Sequence, residues 1–215
     1  MEVYCNGCSS ASNTSKSKST QAVLDPKVEE TRSGYVFFWK PEGAEGIYSQ
    51  WDEHPFVGTV PSASTPGTEE TVTYPTAEHY MMAHKALLFK DYEVMWQILG
   101  NGKPEDAPDA KQTKALGRLV SNFDEKTWVD NRLRIVEEGN WLKFTQNPDL
   151  KATLLATGER VLVEASPLDR IWGVGFGAQK APYQKARWGL NLLGVALMNV
   201  RKRLNEEASK ASSSS

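Results

Sequence analysis

One predicted helix carries a carboxylate and an amine in the middle of its apolar face. In PTAEHYMMAHKALLF, residues 75–89, a turn of about 100° per residue places Glu78 and Lys85 about 20° apart and two turns along the helix. The apolar side chains that flank the two charges are Met81, Met82, Leu88 and Phe89. Burying an ion costs several kcal/mol unless it is paired or used. We therefore expect this face to line a pocket.

The pair suggests a particular chemistry for that pocket. An amine among Met and Phe side chains is expected to lose proton affinity and become a usable nucleophile, and a neighbouring carboxylate can transfer protons. Together they suit reactions at C1 of a sugar, where the amine forms an imine. Each residue alone also has a structural explanation, since Glu78 favours the helix dipole and Lys85 can extend past the methionines to water. A structural domain with both charges in solvent is the plainest alternative.

The histidines and cysteines do not form a metal-binding pattern. His79 and His84 lie about 140° apart on the predicted helix, so they cannot share a metal as the histidines of an H-E-x-x-H pair do. Cys5 and Cys8 form one C-x-x-C in a polar segment, and a zinc site needs a second pair of ligands. We expect no metal site, and we assign these two thiols no ligand role.

Composition limits the class of protein. The chain has 215 residues, of which 40% are apolar and 24% charged, with a net charge of −2; this is typical of one globular domain. The small net charge argues against a protein held on nucleic acid mainly by electrostatics. The chain has no run of the roughly 18 apolar residues that a membrane span needs and no secretory signal pattern. We expect a cytoplasmic or nuclear location, no membrane partner, and no particular oligomeric state.

One domain is expected between two polar tails. Residues 1–33 and 207–215 are rich in Ser and are interpreted as disordered, which leaves a domain over 34–206. The expected fold class is mainly α, a compact multi-helical domain with a few short strands. Predicted strands cover 35–40, 71–75 and 160–165, and predicted helices cover 77–91, 92–99, 108–120, 124–146, 149–157 and 186–204.

Two segments are predicted to be loops because they are rich in Gly, Pro or Ser, residues 41–70 and 172–184. Long loops in a compact domain are usually functional. Asn191 is assigned to the surface of the last helix, without a site role.

The helix that carries the charge pair resembles the YbiA-like family, also called NADAR domains. The likeness begins with A-E-H-Y-x-x-x-x-K over 77–85 and extends from Tyr35 to Arg203. The other motifs, in the family's order, are LGR (116–118), Trp128, KF-x-Q-N (143–147), LLATG (154–158), LVEASPLDRIWGVG (162–175) and NLLGVALMNVR (191–201). The resemblance implies a compact helical fold and N-glycosidase chemistry, with no metal or organic cofactor.

The resemblance also implies roles for individual residues. Glu78 matches the family's functional glutamate and Lys85 the lysine that follows it. Trp128 matches a tryptophan treated as functionally important, although its periodicity also fits a core residue on which a base can stack. Asp169 and Trp172 match the family's D-x-x-W-G element. We take Glu78, Lys85 and Asp169 as candidate catalytic residues.

The remaining candidates would bind the substrate. Ser49 and Trp51 belong to a Ser-Gln-Trp triplet where many bacterial relatives have Ser-Asn-Phe, and Met82 stands where those relatives often have glutamine. Arg118 is equally explained as a helix C-terminal cation or as a ligand for phosphate. Gly173 belongs to a glycine cluster that either lets backbone amides approach a phosphate or sugar or forms a plain tight loop.

Known relatives act on two substrate classes, so two substrates are expected for this chain. The favoured one is ADP-ribosylated guanine in nucleic acid, from which Lys85 and Glu78 would release ADP-ribose. The alternative is an early riboflavin-pathway intermediate, a ribosylamino-pyrimidine phosphate. A non-catalytic module that binds ADP-ribose is a third possibility, disfavoured because a pure binder gains little from a costly charge pair.

Overall fold

The computed structural model describes residues 33–62, 65 and 67–213, so the predicted tail over 1–33 lies outside the described residues except for Ser33. Within the described residues the chain forms six α-helices and four short β-strands, which confirms the mainly α fold class. The helices are α1 (Ala77–Leu88), α2 (Tyr92–Ile98), α3 (Ala110–Gly117), α4 (Glu125–Gln146), α5 (Pro148–Ala156) and α6 (Leu192–Ser213). The strands are β1 (Tyr35–Phe38), β2 (Phe56–Pro61), β3 (Glu69–Tyr74) and β4 (Val161–Glu164).

Helix α1 lies at the centre of the domain. It packs against α2, α3 and α4, and α4 packs in turn against α6. Every residue over 77–83 is buried, because neighbours surround this half of the helix instead of leaving one face in water. Glu78 is only 2% exposed, so the carboxylate of the predicted pair lies inside the protein.

Local signals set where α1 and its neighbours begin. Asp109 starts α3 with a capping box, and Asp124 caps α4. At α1 the hydroxyl of the cap residue Thr76 hydrogen bonds with the His79 ring at 2.9 Å, and the other nitrogen of that ring lies 2.7 Å from the Pro108 carbonyl oxygen. The His79 ring therefore ties the start of α1 to the segment that leads into α3.

The first and last strands form a parallel pair. Strand β1 runs alongside β4, with Phe38 opposite Glu164. In a parallel pair the carboxyl ends of both strands lie at the same edge. The segments that leave β1 and β4 therefore start side by side, and both border the cavity described below.

The other two strands form a hairpin that the sequence did not predict in full. Strand β2 pairs antiparallel with β3, so the prediction that 41–70 is mostly loop is wrong for β2 and for the first residues of β3. Gly58 and nearby prolines hide the strand pattern. A Cβ at Gly58 would lie 3.1 Å from the Tyr74 ring and 3.2 Å from Leu142, so glycine lets the strand approach the core.

Helix α6 differs from the prediction at both ends. It begins at Leu192 after a 3-10 helix over Ala181–Arg187, and it continues to Ser213, into the predicted tail over 207–215. The placement of Asn191 on the helix surface is wrong, because this residue is buried and adopts a positive φ of 52°. None of the helices in the described ranges is both long enough and apolar enough to span a membrane.

Candidate active site

A cavity of about 630 Å³ lies where α1 meets the end of α3 and the carboxyl ends of β1 and β4. It collects side chains that are distant in sequence. Eight of the ten predicted site residues line it: Trp51, Glu78, Met82, Lys85, Arg118, Trp128, Asp169 and Trp172. The charged face of α1 therefore faces a cavity.

Glu78 is buried in the cavity wall without a full set of partners. Its Oε1 atom has no hydrogen-bond partner among the described residues. Burial raises the pKa of Glu78 to about 7, although the Lys114 charge, the Trp51 side chain as hydrogen-bond donor and the Arg118 charge oppose the rise. A carboxyl group in this state can give or take a proton near neutral pH.

Lys85 lies two turns further along the same face of α1 and is held by backbone and aromatic contacts. Its Nζ donates to the Gly117 carbonyl oxygen at 2.7 Å and lies 4.5 Å from the centre of the Phe123 ring and 5.5 Å from that of Trp128. Burial lowers the pKa of Lys85, and the Arg118 charge acts in the same direction while Glu125 opposes both. A lysine whose pKa is lowered has a larger neutral, nucleophilic fraction.

Asp169 is oriented by the chain that follows it. Its Oδ1 atom accepts hydrogen bonds from the backbone N–H groups of Ile171 and Trp172, both at 2.8 Å. Asp169 and Trp172, which this turn connects, both line the cavity. A carboxylate fixed in this way is suited to accepting hydrogen bonds from sugar hydroxyls.

Aromatic and apolar side chains form the walls. Trp128 is 9% exposed and both packs in the core and lines the cavity. Trp51 lies beneath the Lys114 amine, which is 5.9 Å from the ring centre. Met82 closes the wall beside Gly117, where a Cβ would come within 2.0 Å of the methionine sulfur. Any larger residue at position 117 would therefore displace the wall.

Two predicted binding residues lie behind the cavity wall and do not line it. Ser49 is buried, and its hydroxyl accepts a hydrogen bond from the Trp51 backbone N–H at 3.2 Å, so it shapes the turn. Gly173 is also buried. A Cβ there would lie 2.7 Å from the Glu164 carbonyl oxygen and 3.1 Å from that of Asp169, so glycine is needed for close backbone packing.

Gln50 is a cavity residue that sequence reasoning missed. Asn140 Nδ2 donates to the Val136 carbonyl oxygen at 2.8 Å, which fixes the orientation of that amide, and it donates to Gln50 Oε1 at 2.9 Å. The Nε2 atom of Gln50 is therefore left buried without an acceptor in the described protein. Gln50 stands at the Asn of the Ser-Asn-Phe triplet, a signal that could have identified it.

Glu164 is the second cavity residue that sequence reasoning missed. It ends β4 and lines the cavity, and its Oε2 atom is buried without a partner among the described residues. Burial raises the pKa of Glu164 to about 8, together with the nearby Asp169 and Glu78 carboxylates and against the Lys114 charge. The cavity thus contains two carboxyl groups that retain protons near neutral pH.

A buried ion pair holds the loop that carries Gln50 and Trp51. Lys143 on α4 is fully buried, and its Nζ lies 2.8 Å from Asp52 Oδ2. The same amine donates to the Ile47 carbonyl oxygen at 2.8 Å and to that of Ser49 at 3.3 Å. These contacts hold residues 47–52 against helix α4.

One cavity brings together two buried carboxyl groups, a lysine amine and several tryptophan rings. Two carboxyl groups of raised pKa and an amine of lowered pKa suit bond cleavage at a sugar carbon. Lys114 and Arg118 also line the cavity and can bind phosphate oxygens. Across the described ranges, no three His, Cys, Asp or Glu side chains group closely enough to bind a metal ion.

Comparison with known proteins connects this site to characterised relatives. The chain is 43% identical over 173 residues to an N-glycosidase of Acanthamoeba polyphaga mimivirus, covering 78% of this chain and 95% of the viral protein. It is 30% identical to the riboflavin biosynthesis protein PYRR of Zea mays, covering 84% of this chain but only 27% of the maize protein.

A solved structure of a relative has a fold similar to that of this chain. The solution NMR structure of YbiA from Escherichia coli superposes with a TM-score of 0.59 and 26% identity, covering 84% of this chain and 94% of YbiA. YbiA and the viral relative are both named N-glycosidases, which confirms the enzyme class that the sequence predicts. The NADAR domain model matches residues 37–205, and the chain therefore belongs to the NADAR domain family.

Proposed function

We propose that this protein hydrolyses the N-glycosidic bond between a ribosyl group and a base, with ADP-ribosylated guanine in nucleic acid as the favoured substrate. The observation that carries the proposal is the shared cavity of Glu78 and Lys85. The Glu78 carboxyl is buried, one of its oxygens has no partner among the described residues, and its pKa is about 7. The pKa of Lys85 is lowered by burial in the same cavity. This is the pair of groups that an imine route requires.

The proposed reaction begins with cleavage of the bond to the base. The neutral Lys85 amine forms a bond to C1 of the ribose while the bond from C1 to the base nitrogen breaks, and the Glu78 carboxyl gives its proton to that nitrogen. The Glu78 carboxylate then takes a proton from the alkylated amine. The sugar ring next opens as the nitrogen lone pair forms the imine and the ring oxygen takes a proton. Water adds to the imine, and the free aldehyde sugar leaves Lys85.

The cavity walls support a substrate with a base and phosphates. Trp51 and Trp128 offer aromatic surfaces for a base, and stacking a base on such a ring contributes roughly 1–3 kcal/mol. The cavity also has exposed apolar lining side chains, Trp39 at 42% and Leu168 at 95%. Such surfaces suit the stacking of bases that neighbour the target in a nucleic-acid strand, which a small pyrimidine phosphate does not have.

The alternative substrate is a ribosylamino-pyrimidine phosphate of riboflavin biosynthesis. Several relatives, the maize protein among them, carry riboflavin-biosynthesis names, and Arg118 and Lys114 suit a single phosphate as well as a diphosphate. Parallel assays on ADP-ribosylated guanine DNA and on the pyrimidine phosphate decide between the two substrates. Faster turnover of the pyrimidine would contradict the favoured assignment, and tight binding of ADP-ribose without turnover of either compound would indicate a binding module.

Borohydride trapping tests the imine at Lys85. Sodium borohydride added during turnover is expected to reduce the imine to a stable sugar adduct that peptide mass mapping locates at Lys85. A Lys85→Arg variant should give no adduct, whereas Lys114→Gln, which removes another amine of the same cavity, should still give it. If the wild-type protein turns over without an adduct, water attacks C1 directly and the imine route is wrong.

The unpaired amide of Gln50 predicts a specific loss of substrate binding. Gln50→Leu is expected to lower kcat/KM by about 10-fold, the value of one hydrogen bond to the substrate. The midpoint of thermal unfolding should fall only slightly, because Gln50 Nε2 has no partner among the described residues. Asn140 Nδ2 loses the Gln50 Oε1 acceptor but keeps its bond to the Val136 carbonyl oxygen. Gln50→Asn, which keeps the amide at shorter reach, serves as the control and should retain part of the activity. An unchanged kcat/KM in Gln50→Leu would show that this amide does not contact the substrate.

A further inference from the structure

Glu164 is a buried carboxyl group of the cavity that has no role in the steps given above. Its Oε2 atom is buried without a hydrogen-bond partner in the described residues, and leaving a polar atom in this state destabilises the folded protein. Glu164 lines the same cavity as Glu78. A residue kept at such a cost in a reaction cavity is a candidate for contact with the substrate.

The backbone around Glu164 is fixed on both sides, which directs its side chain. Its N–H group donates to Asn191 Oδ1 at 2.9 Å, and its carbonyl oxygen accepts from the Val174 N–H at 2.9 Å. Asn191 Nδ2 also donates to the Leu162 carbonyl oxygen at 2.8 Å. The Asn191 amide therefore acts as a neighbouring strand would, and it holds the end of β4 beside the cavity.

Three charged groups face Glu164 from the surrounding elements. Glu78 approaches from α1, Asp169 from the loop after β4 and Lys114 from α3. Like charges in a buried site disfavour each other's ionised form. Burial and the two carboxylates together favour a proton on Glu164, against the opposing charge of Lys114.

The imine route needs a second proton donor. One proton goes to the departing base nitrogen and another to the ring oxygen when the sugar opens. The Oδ1 atom of Asp169 accepts two backbone N–H groups, and we assign this carboxylate to orienting the sugar hydroxyls. Glu78 has given its proton to the base, and the proton that it then takes from the alkylated amine must return to that nitrogen when Lys85 leaves the sugar. Among these three carboxyl groups, Glu164 is the one left to serve the ring oxygen.

We propose that Glu164 is a second catalytic acid, which protonates the ring oxygen of the ribose as the C1–O bond breaks and the imine to Lys85 forms. The Glu164 carboxylate then takes a proton from the water that adds to the imine carbon, which restores the acid for the next cycle. This inference rests on the proposed N-glycosidase function, and it assigns separate proton transfers to Glu78 and Glu164.

Rapid-mixing experiments separate the two roles. In Glu164→Gln, one equivalent of base per site should be released in the first turnover, while the borohydride-trapped imine and the steady-state kcat fall by about 10²-fold or more. In Glu78→Gln, release of the base itself should be slow. In the wild-type protein the rate of imine formation, measured after release of the base, should fall as the pH rises through about 8, where Glu164 loses its proton.

Glu164→Asp keeps the acid at shorter reach and should recover part of the imine yield, which tests the idea even if the Gln variant folds poorly. Wild-type trapping and kcat in Glu164→Gln would overturn the inference, as would slow release of the base equal to that of Glu78→Gln. No adduct in the wild-type protein would instead overturn the imine route itself, so the two failures are distinguishable.

Discussion

Glu78→Gln is expected to lower kcat/KM by about 10³-fold, the middle of the range for removing a general acid. The amide has nearly the shape of the carboxyl group, so the cavity keeps its form while the proton for the departing base is lost. The measurement is release of free guanine-containing product under single-turnover conditions. Glu105→Gln, at an exposed carboxylate that does not line the cavity, is the control and should show wild-type rates.

The same variant is expected to be more stable than the wild-type protein at alkaline pH. The pKa of Glu78 rises from 4.5 to about 7 on folding, so the folded state binds more protons than the unfolded state between these values. Wild-type stability therefore declines as the pH rises through this interval, by about 3 kcal/mol at most. Gln does not titrate, so the variant should gain stability over the wild type at pH 8 and not at pH 4.

Urea unfolding at the two pH values measures this gain. A stable but inactive variant would show that Glu78 is retained for reaction and not for folding, as expected of a strained active site. A variant that unfolds more readily at pH 8 would mean that the carboxylate makes stabilising contacts in the folded protein. Wild-type turnover in Glu78→Gln would remove this residue from the mechanism.

The part of the site that could be predicted from the sequence lies on one helix. Helical periodicity fixes the angle between Glu78 and Lys85 whatever surrounds them, so their common face could be derived from spacing alone. The burial of these two side chains could not be derived from spacing, because it depends on how α2, α3 and α4 pack around α1. The helix boundaries agree to within a few residues where cap signals such as Asp109 and Asp124 are present.

The residues that were missed owe their roles to distant parts of the chain. Glu164 ends a strand and becomes a cavity residue only because β4 lies beside β1. Gln50 is turned toward the cavity by an amide on α4, and Asn191 is buried because it bonds to the backbone of β4. No local period identifies such contacts, and short strands such as β2 with a central glycine give weak patterns.

Lys143→Met is expected to reduce the free energy of unfolding by about 3–5 kcal/mol, the usual cost of removing one partner of a buried ion pair. The substitution leaves Asp52 charged and 9% exposed without its amine. It also removes the donor to the Ile47 and Ser49 carbonyl oxygens. Urea unfolding at pH 7 measures the loss. Activity should fall as well, because the loop that presents Gln50 is no longer fastened to α4.

Replacing the acid partner separates the two causes of this loss. In the double variant Lys143→Met with Asp52→Asn, the uncompensated charge is gone while the unpaired carbonyl oxygens remain, so part of the stability should return. Lys126→Met, which breaks an exposed pair with Asp130 on the same helix, should cost nothing measurable, because solvent screens exposed pairs. Equal stability of Lys143→Met and the wild-type protein would mean that Asp52 finds sufficient compensation in His54, 2.7 Å away. The loop would then be held by its backbone contacts alone, such as the Glu78 N–H bonded to the Gln50 carbonyl oxygen at 2.9 Å.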